Sequence, residues 1–168
     1  MSTIKKKKIK VVWICHFTNE KVRSLLPLNK SRAYTDFAPW ITSLIKEFEN
    51  VDDVDLHIIS PHMGLKRLTY TFNLNNIKYY FFKPDLPIVH VRWPSFFPLD
   101  AFTRFYKNRF LVSRFLDHIK PDIVNLHGAE NQYYSSTVFA AKKLPVYICI
   151  QGIYSNPDRF NKLVKPNK

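Results

Sequence analysis

Apolar positions along the chain come in short β-branched runs, separated by stretches where they recur at helical spacing. The first run, Ile9–Cys15 (IKVVWIC), predicts a buried strand ended by polar residues. Residues 16–34 are mostly polar, hold Pro27 and predict a loop. Phe37, Trp40, Ile41, Leu44, Ile45 and Phe48 then follow the 3-4-3 spacing of one helical face. Thr35 or Asp36 can cap that helix, which is expected to run to about Glu49 with Pro39 tolerated in its first turn.

Val54–Ser60 predicts a second strand, and TYTFNLNNIKYYFFK, residues 69–83, a β-hairpin. Asn75 and Asn76 interrupt two β-favouring runs there, and asparagine tolerates positive φ. Prolines at 84, 87, 94 and 98 exclude regular structure over 84–98 and predict a surface loop, in which Trp93, Phe96 and Phe97 need shelter. Asp100–Lys120 is the longest expected helix. Its apolar arc is Phe102, Phe105, Tyr106, Phe110, Val112, Phe115, Leu116 and Ile119, with Arg104, Lys107, Arg114 and His118 opposite. Such a basic amphipathic helix packs on a sheet or lies on a membrane. Arg109 falls inside the arc, which calls for a kink or an anionic partner. Pro121 stops the helix; Ile123–His127 predicts a strand, Gln132–Lys143 a helix and Val146–Gln151 a strand, while residues 152–168 show no strong period. Strand–helix–strand alternation at these lengths makes parallel sheets. The expected fold is therefore α/β, a Rossmann-like, mostly parallel sheet flanked by helices, with a β-hairpin insertion.

Composition narrows the classes. A chain of 168 residues, 46% of them hydrophobic, suits one domain with a real core and excludes a disordered tail. No apolar stretch reaches the ~18 residues of a membrane-spanning helix. Val11 to Cys15 is too short for a secretory signal. A cytoplasmic location is expected, with attachment at the inner face of a membrane as an option. The two cysteines, Cys15 and Cys149, are expected to be free, buried thiols with one strand between them, about two spacings of ~4.8 Å apart and too far to bridge. Twenty-six Lys and Arg against 13 Asp and Glu leave a charge of +13, which suits nucleic acid, an anionic membrane or a phosphorylated substrate. The Lys5–Lys8 run, within a basic arm over 1–8, is either solvated surface or a membrane-contacting arm.

In an open parallel sheet the ligand crevice lies outside the carboxyl ends of the strands. Here those ends carry His16 and Phe17, then Ser60, Pro61 and His62, then His127, Gly128, Ala129, Glu130 and Asn131, and last Gln151 and Gly152. Of 3 glycines in the chain, two follow strands directly, where a glycine permits close approach of a ligand or a positive-φ turn. A helix N-terminus near Asn131 could hold an anion. Each residue also has a plainer reading: His127 satisfied by backbone, Glu130 favoured by the helix dipole, His16 and His62 ordinary loop residues. The dinucleotide fingerprint, the P-loop and the G-x-S-x-G elbow are absent, and no histidine pair has metal-binding spacing. No cofactor and no metal are expected.

KIKVVWICHF, LNNIKYYFFKP, KPDIVNLHGAEN and PVYICIQGIYSNP, in this order, resemble the N-terminal domain of a GT-B-fold retaining glycosyltransferase of the family 4 type, over residues 9–157, with 158–168 as a tail. The resemblance implies an acceptor-binding domain paired with a donor-binding domain, and transfer of a sugar from a nucleotide-sugar to a hydroxyl. It implies a role for His127 against the donor sugar, and an acceptor and diphosphate site shaped by the loop from His16. Glu130 and Gln151 would line the same cleft, and a sugar or lipid-linked acceptor would be the partner. The sequence departs from the family in two ways. HFTNEKVRSLLPL lacks the glycine pair of that loop, and no two of Glu20, Glu47, Glu49 and Glu130 have the family's donor-domain spacing. A segment without its donor domain, inactive by itself, is therefore expected. The alternative is a basic, non-enzymatic binding module for nucleic acid or anionic surfaces, although no basic stripe interleaves with aromatics as nucleic-acid binding favours.

Overall fold

A computed structural model of the chain describes residues 7–29, 38–84, 103–129 and 132–150. The strands are β1 (Ile9–Cys15), β2 (Val54–Pro61), β3 (Thr69–Leu74), β4 (Ile77–Phe82), β5 (Ile123–His127) and β6 (Val146–Cys149). The helices are α1 (Glu20–Leu25), α2 (Pro39–Phe48), α3 (Tyr106–Ile119) and α4 (Gln132–Ser135), the last continued by a 3-10 helix over Ser136–Ala140. The strands form one sheet in the order β3-β4-β2-β1-β5-β6. All neighbouring pairs run parallel except β3 with β4. The parallel strands thus follow the order of a Rossmann-like sheet, and the α/β expectation holds.

Strand alternation builds two cores. Val12, Ile14, Ile59, Phe82, Val124 and Leu126 face Leu111, Val112, Leu116 and Ile119 of α3. Trp13, Cys15, Leu56, Ile58, Tyr79 and Phe81 face the other way, toward Val22 of α1 and Ile41 and Ile45 of α2. Full burial of each such aliphatic or aromatic side chain stabilises by roughly 1.5–3 kcal/mol. With hydrophobic side chains on both faces, β1 reads as a continuous apolar run from Val11 to Cys15, as a doubly covered parallel strand does.

Several expectations need correction. The hairpin is not an insertion beside the sheet: β4 pairs in parallel with β2, so only β3 is the antiparallel addition. Its turn has φ 50° at Asn75 and 62° at Asn76, the primed turn that matches strand twist. The loop expected over 16–34 contains α1, capped by Asn19, whose side chain accepts from the Val22 amide at 2.8 Å; six residues are too few to show a period. Thr35 and Asp36 lie outside the described residues, and α2 begins at Pro39 with Ala38 in the N-cap position at φ 51°. Leu44 sits on its exposed flank. Of the longest expected helix, residues 100–102 lie outside the described part, as does most of the 84–98 loop with Trp93, Phe96 and Phe97.

The inward face of α3 is rotated from the expected arc. Asn108, Leu111, Val112, Leu116 and Ile119 are buried, whereas Tyr106 and Phe110 are exposed and stack on each other. One turn apart, those two rings make a flank rather than the face. The helix expected over Gln132–Lys143 is one α-turn followed by 3-10 turns that end at Ala140. The Ser135-Ser136-Thr137 run weakens it, with the Thr137 hydroxyl donating to the Tyr134 carbonyl at 2.5 Å. β6 is an exposed edge, so Cys149 is only half-buried, while Cys15 is fully buried; both thiols are free and β5 lies between them, as expected.

Candidate functional site at the strand ends

Chain order reverses direction between β1 and β5. From β1 the chain crosses to β2 by way of α1 and α2, and β5 joins the opposite side of β1 and leads outward to β6. Adjacent strands whose connections leave in opposite directions open a crevice at their carboxyl ends. Register places Cys15 beside His127, and His127 beside Cys149. His16 follows β1 directly, and Gly128 follows β5 with φ 85°, its amide donating to the Cys149 carbonyl at 2.8 Å. A side chain at 128 would meet the left-handed penalty that glycine avoids.

Side chains fasten this rim. The Ser60 hydroxyl at the end of β2 accepts from the Phe17 amide at 3.0 Å and donates to the Phe17 carbonyl at 3.1 Å, tying the loops after β1 and β2 together. Phe17 itself is fully buried in the core, so it supports the rim and does not line a cleft. Nδ1 of His62 accepts from the Gly64 amide at 3.1 Å, and its ring stands edge-on to Phe81. Tyr133 of α4 reaches back so that its hydroxyl lies 2.5 Å from Nδ1 of His16. Asn108 of α3 donates to the Tyr133 carbonyl at 2.7 Å, and the Tyr134 hydroxyl donates to the His127 carbonyl at 3.1 Å.

Burial sets the protonation. It pushes His127 down to about 4. It does the same for His16, also to about 4, with nearby His62 adding to the effect. His62 is lowered by burial and then by Arg23. Burial pushes the Tyr133 hydroxyl up to about 12. At neutral pH the three imidazoles are uncharged and Tyr133 keeps its proton, so the His16 tautomer sets which of the two donates in their hydrogen bond.

His127 is the unusual member. The residue is 4% exposed, and its ring meets two indoles at a tilt, with centroids 4.6 Å from Trp13 and 5.5 Å from Trp40. Neither Nδ1 nor Nε2 has a hydrogen-bond partner. Asn125, two residues earlier on the same face of β5, likewise has a buried amide oxygen without a partner. Leaving a buried donor or acceptor unmade costs about 1–3 kcal/mol, so such atoms in a packed site call for an explanation. A neutral ring cannot stabilise developing negative charge as a cation. It can donate one hydrogen bond and accept another, which is what a hydroxyl group requires.

The structure thus brings His16, His62, His127 and Gly128 to the ends of parallel strands. Glu130, Asn131, Gln151 and Gly152 lie outside the described residues. Sequence reasoning missed Tyr133, Ser60 as a clasp, and the contacts of Trp13 and Trp40 with His127. The aromatic pair after the His127-Gly128 turn was the only signal for the first; the others are contacts between distant segments. Among the described residues no three His, Cys, Asp or Glu side chains are grouped to hold a metal, and no helix is long and apolar enough to cross a membrane.

The chain is thus an α/β protein that gathers His16, His62 and His127 at the carboxyl ends of parallel strands in a Rossmann-like sheet, with His62 and His127 buried. No known family, no curated protein and no solved structure matches the chain.

Proposed function

We propose that the chain is the acceptor-side domain of a retaining glycosyltransferase that moves a sugar from a nucleotide-sugar to a hydroxyl acceptor. One observation carries the reading: a buried imidazole with both nitrogens unspent stands at the carboxyl end of β5, beside a positive-φ glycine, where an open α/β sheet takes its ligand. His127 is neutral at pH 7, so its role is to orient a sugar hydroxyl by hydrogen bonds. His16, held by Tyr133, and the loop clasped by Ser60 shape the neighbouring wall. The nucleotide-sugar is held mainly by a second domain, and the 13 excess positive charges favour an anionic, lipid-linked acceptor near a membrane surface.

The test is a nucleotide-sugar transfer assay on the complete natural polypeptide that carries these residues. His127→Ala is expected to lower kcat by about tenfold or more, the scale of one lost orienting hydrogen bond in a dry site. A rate within about a factor of two of the parent removes His127 from the mechanism.

A further inference from the structure

On the face of the sheet opposite His127, at the same end of β5 and β6, lies a cavity of about 740 Å³. Leu126 and Ile148 form its floor, each one residue before the strand-end pair His127 and Cys149. Its lining combines two chemistries that seldom meet by chance. Arg104, Arg109 and Lys142 bring three positive charges, and among the described lining residues there is no carboxylate. Val138 and Phe139 join Leu126 and Ile148 as an apolar wall, with Phe139 66% exposed and Ile148 46%.

Two polar atoms there are unspent. Nε of Arg109 and the hydroxyl of Ser136 are both buried without a hydrogen-bond partner. Arg109 is the residue that fell inside the expected apolar arc of α3. The cavity also meets the start of that helix: Phe105, its N-cap residue, lines the space and supplies no side-chain cap. The positive end of a 14-residue helix therefore adds to the three cations. Arg104 and Phe105 hold φ of 52° and 53°, a left-handed pair of non-glycine residues that carries the chain into this helix start.

We propose that this cavity binds a phosphate group attached to an apolar chain, with the phosphate against Arg109, Ser136 and the start of α3, and the chain against Phe139 and Ile148. Arginine beside a helix N-terminus is a recurring donor set for phosphate oxygens, and a serine hydroxyl can add to it. A bare phosphate leaves the apolar wall wet; a neutral hydrocarbon leaves Nε of Arg109 buried and unpaired. An amphiphilic phosphate satisfies both. The inference rests on the glycosyltransferase reading and deepens it by giving the lipid-linked anion a binding place of its own, across the sheet from His127.

The experiment is calorimetric titration of the whole chain with hexyl phosphate, inorganic phosphate and hexanol. Hexyl phosphate is expected to saturate, with affinity about tenfold or more above inorganic phosphate from burial of its methylenes, and hexanol is not expected to saturate. Arg109→Met is expected to weaken hexyl phosphate by about tenfold or more, as loss of a charge-assisted hydrogen bond does. Lys142→Met and Phe139→Ser, both at less buried positions, carry the test if Arg109→Met fails to fold by circular dichroism. Equal affinity for hexyl and inorganic phosphate overturns the proposal, as does saturation by hexanol, or hexyl phosphate binding that ignores these substitutions. No donor is present in the titration. Failure here leaves sugar transfer to be judged at His127, and binding without transfer by the complete polypeptide keeps the cavity and removes the transferase.

Discussion

Two buried histidines in the same sheet invite comparison. His57 on β2 is 3% exposed and His127 on β5 is 4% exposed. His57 has a polar neighbour at each ring nitrogen. Nδ1 lies 3.3 Å from the Tyr80 hydroxyl, and Nε2 lies 3.2 Å from Asp55 Oδ2, at ion-pair distance though not aligned as a hydrogen bond. Lys78 holds the same carboxylate at 3.0 and 3.1 Å. Burial pushes Asp55 up, but Lys78 and then His57 outweigh it and keep the carboxyl below its usual range. His127 has the tilted indoles of Trp13 and Trp40 against it and no hydrogen-bond partner on either nitrogen among the described residues. Burial alone therefore does not mark a functional histidine. Unspent hydrogen-bonding capacity at a strand's carboxyl end separates the two, and His57 reads as structural.

The largest expected effect is on acid stability. Above about pH 6.5 His127 is neutral both folded and unfolded, and its burial carries no proton-linked cost. As the pH falls toward 4, only the unfolded chain takes up the proton, so stability drops across that window and levels off below it. For His127 alone the loss is on the order of 3 kcal/mol. His16 adds to it in the same direction. Urea unfolding at a series of pH values checks this, and His127→Leu should make the acid limb shallower. An unchanged limb in that variant would mean the ring is protonated in place, and the contrast with His57 would collapse.

Next in size is His57→Ala, which opens a cavity and strips partners from Asp55 and Tyr80. It should cost about 2–3 kcal/mol at pH 7 in urea unfolding. His127→Leu is the opposite case. An apolar side chain of similar bulk removes two unpaired polar atoms, so stability at pH 7 should rise by about 1 kcal/mol while sugar transfer by the complete polypeptide is lost. A stabilised variant with full transfer would make His127 a tolerated defect of packing rather than a site.

The difference between the two rings could not be read along the chain. Strand runs, the Asn75-Asn76 turn and the Pro121 stop were legible because each rests on local chemistry. So was the collection of His16, His62 and His127 at strand ends, which follows once β1, β2 and β5 are parallel. Pairing across the sheet is another matter. Asp55 and His57 sit two apart on β2, but Tyr80 and Lys78 come from β4, and only register brings them together. The cover over His127 comes from Trp40, 87 positions away on α2. The rotated face of α3 was hidden for a related reason: Asn108 is polar by type yet fully buried, because Tyr133 offers it a carbonyl.

The smallest expected effect tests the wall beside His127. Tyr133→Phe keeps the ring packing against His16 and Tyr134 and removes only the hydroxyl hydrogen-bonded to His16 Nδ1. Stability should fall by about 0.5–1.5 kcal/mol, the usual net worth of one hydrogen bond. With the hydroxyl as donor to Nδ1 the bond favours the neutral ring, and its loss should then move the His16 titration upward, while burial and His62 still keep it below that of an ordinary histidine. Histidine ring resonances followed by NMR between pH 3 and about 8 resolve this group by group, across the range where imidazoles titrate. His127 makes no contact with the lost hydroxyl, and its midpoint should stay near 4. If both rings shifted together, they would share one polar network. His127 would then not be the unspent ring that sets it apart from His57, and the role given to it at the end of β5 would pass to the Tyr133–His16 pair.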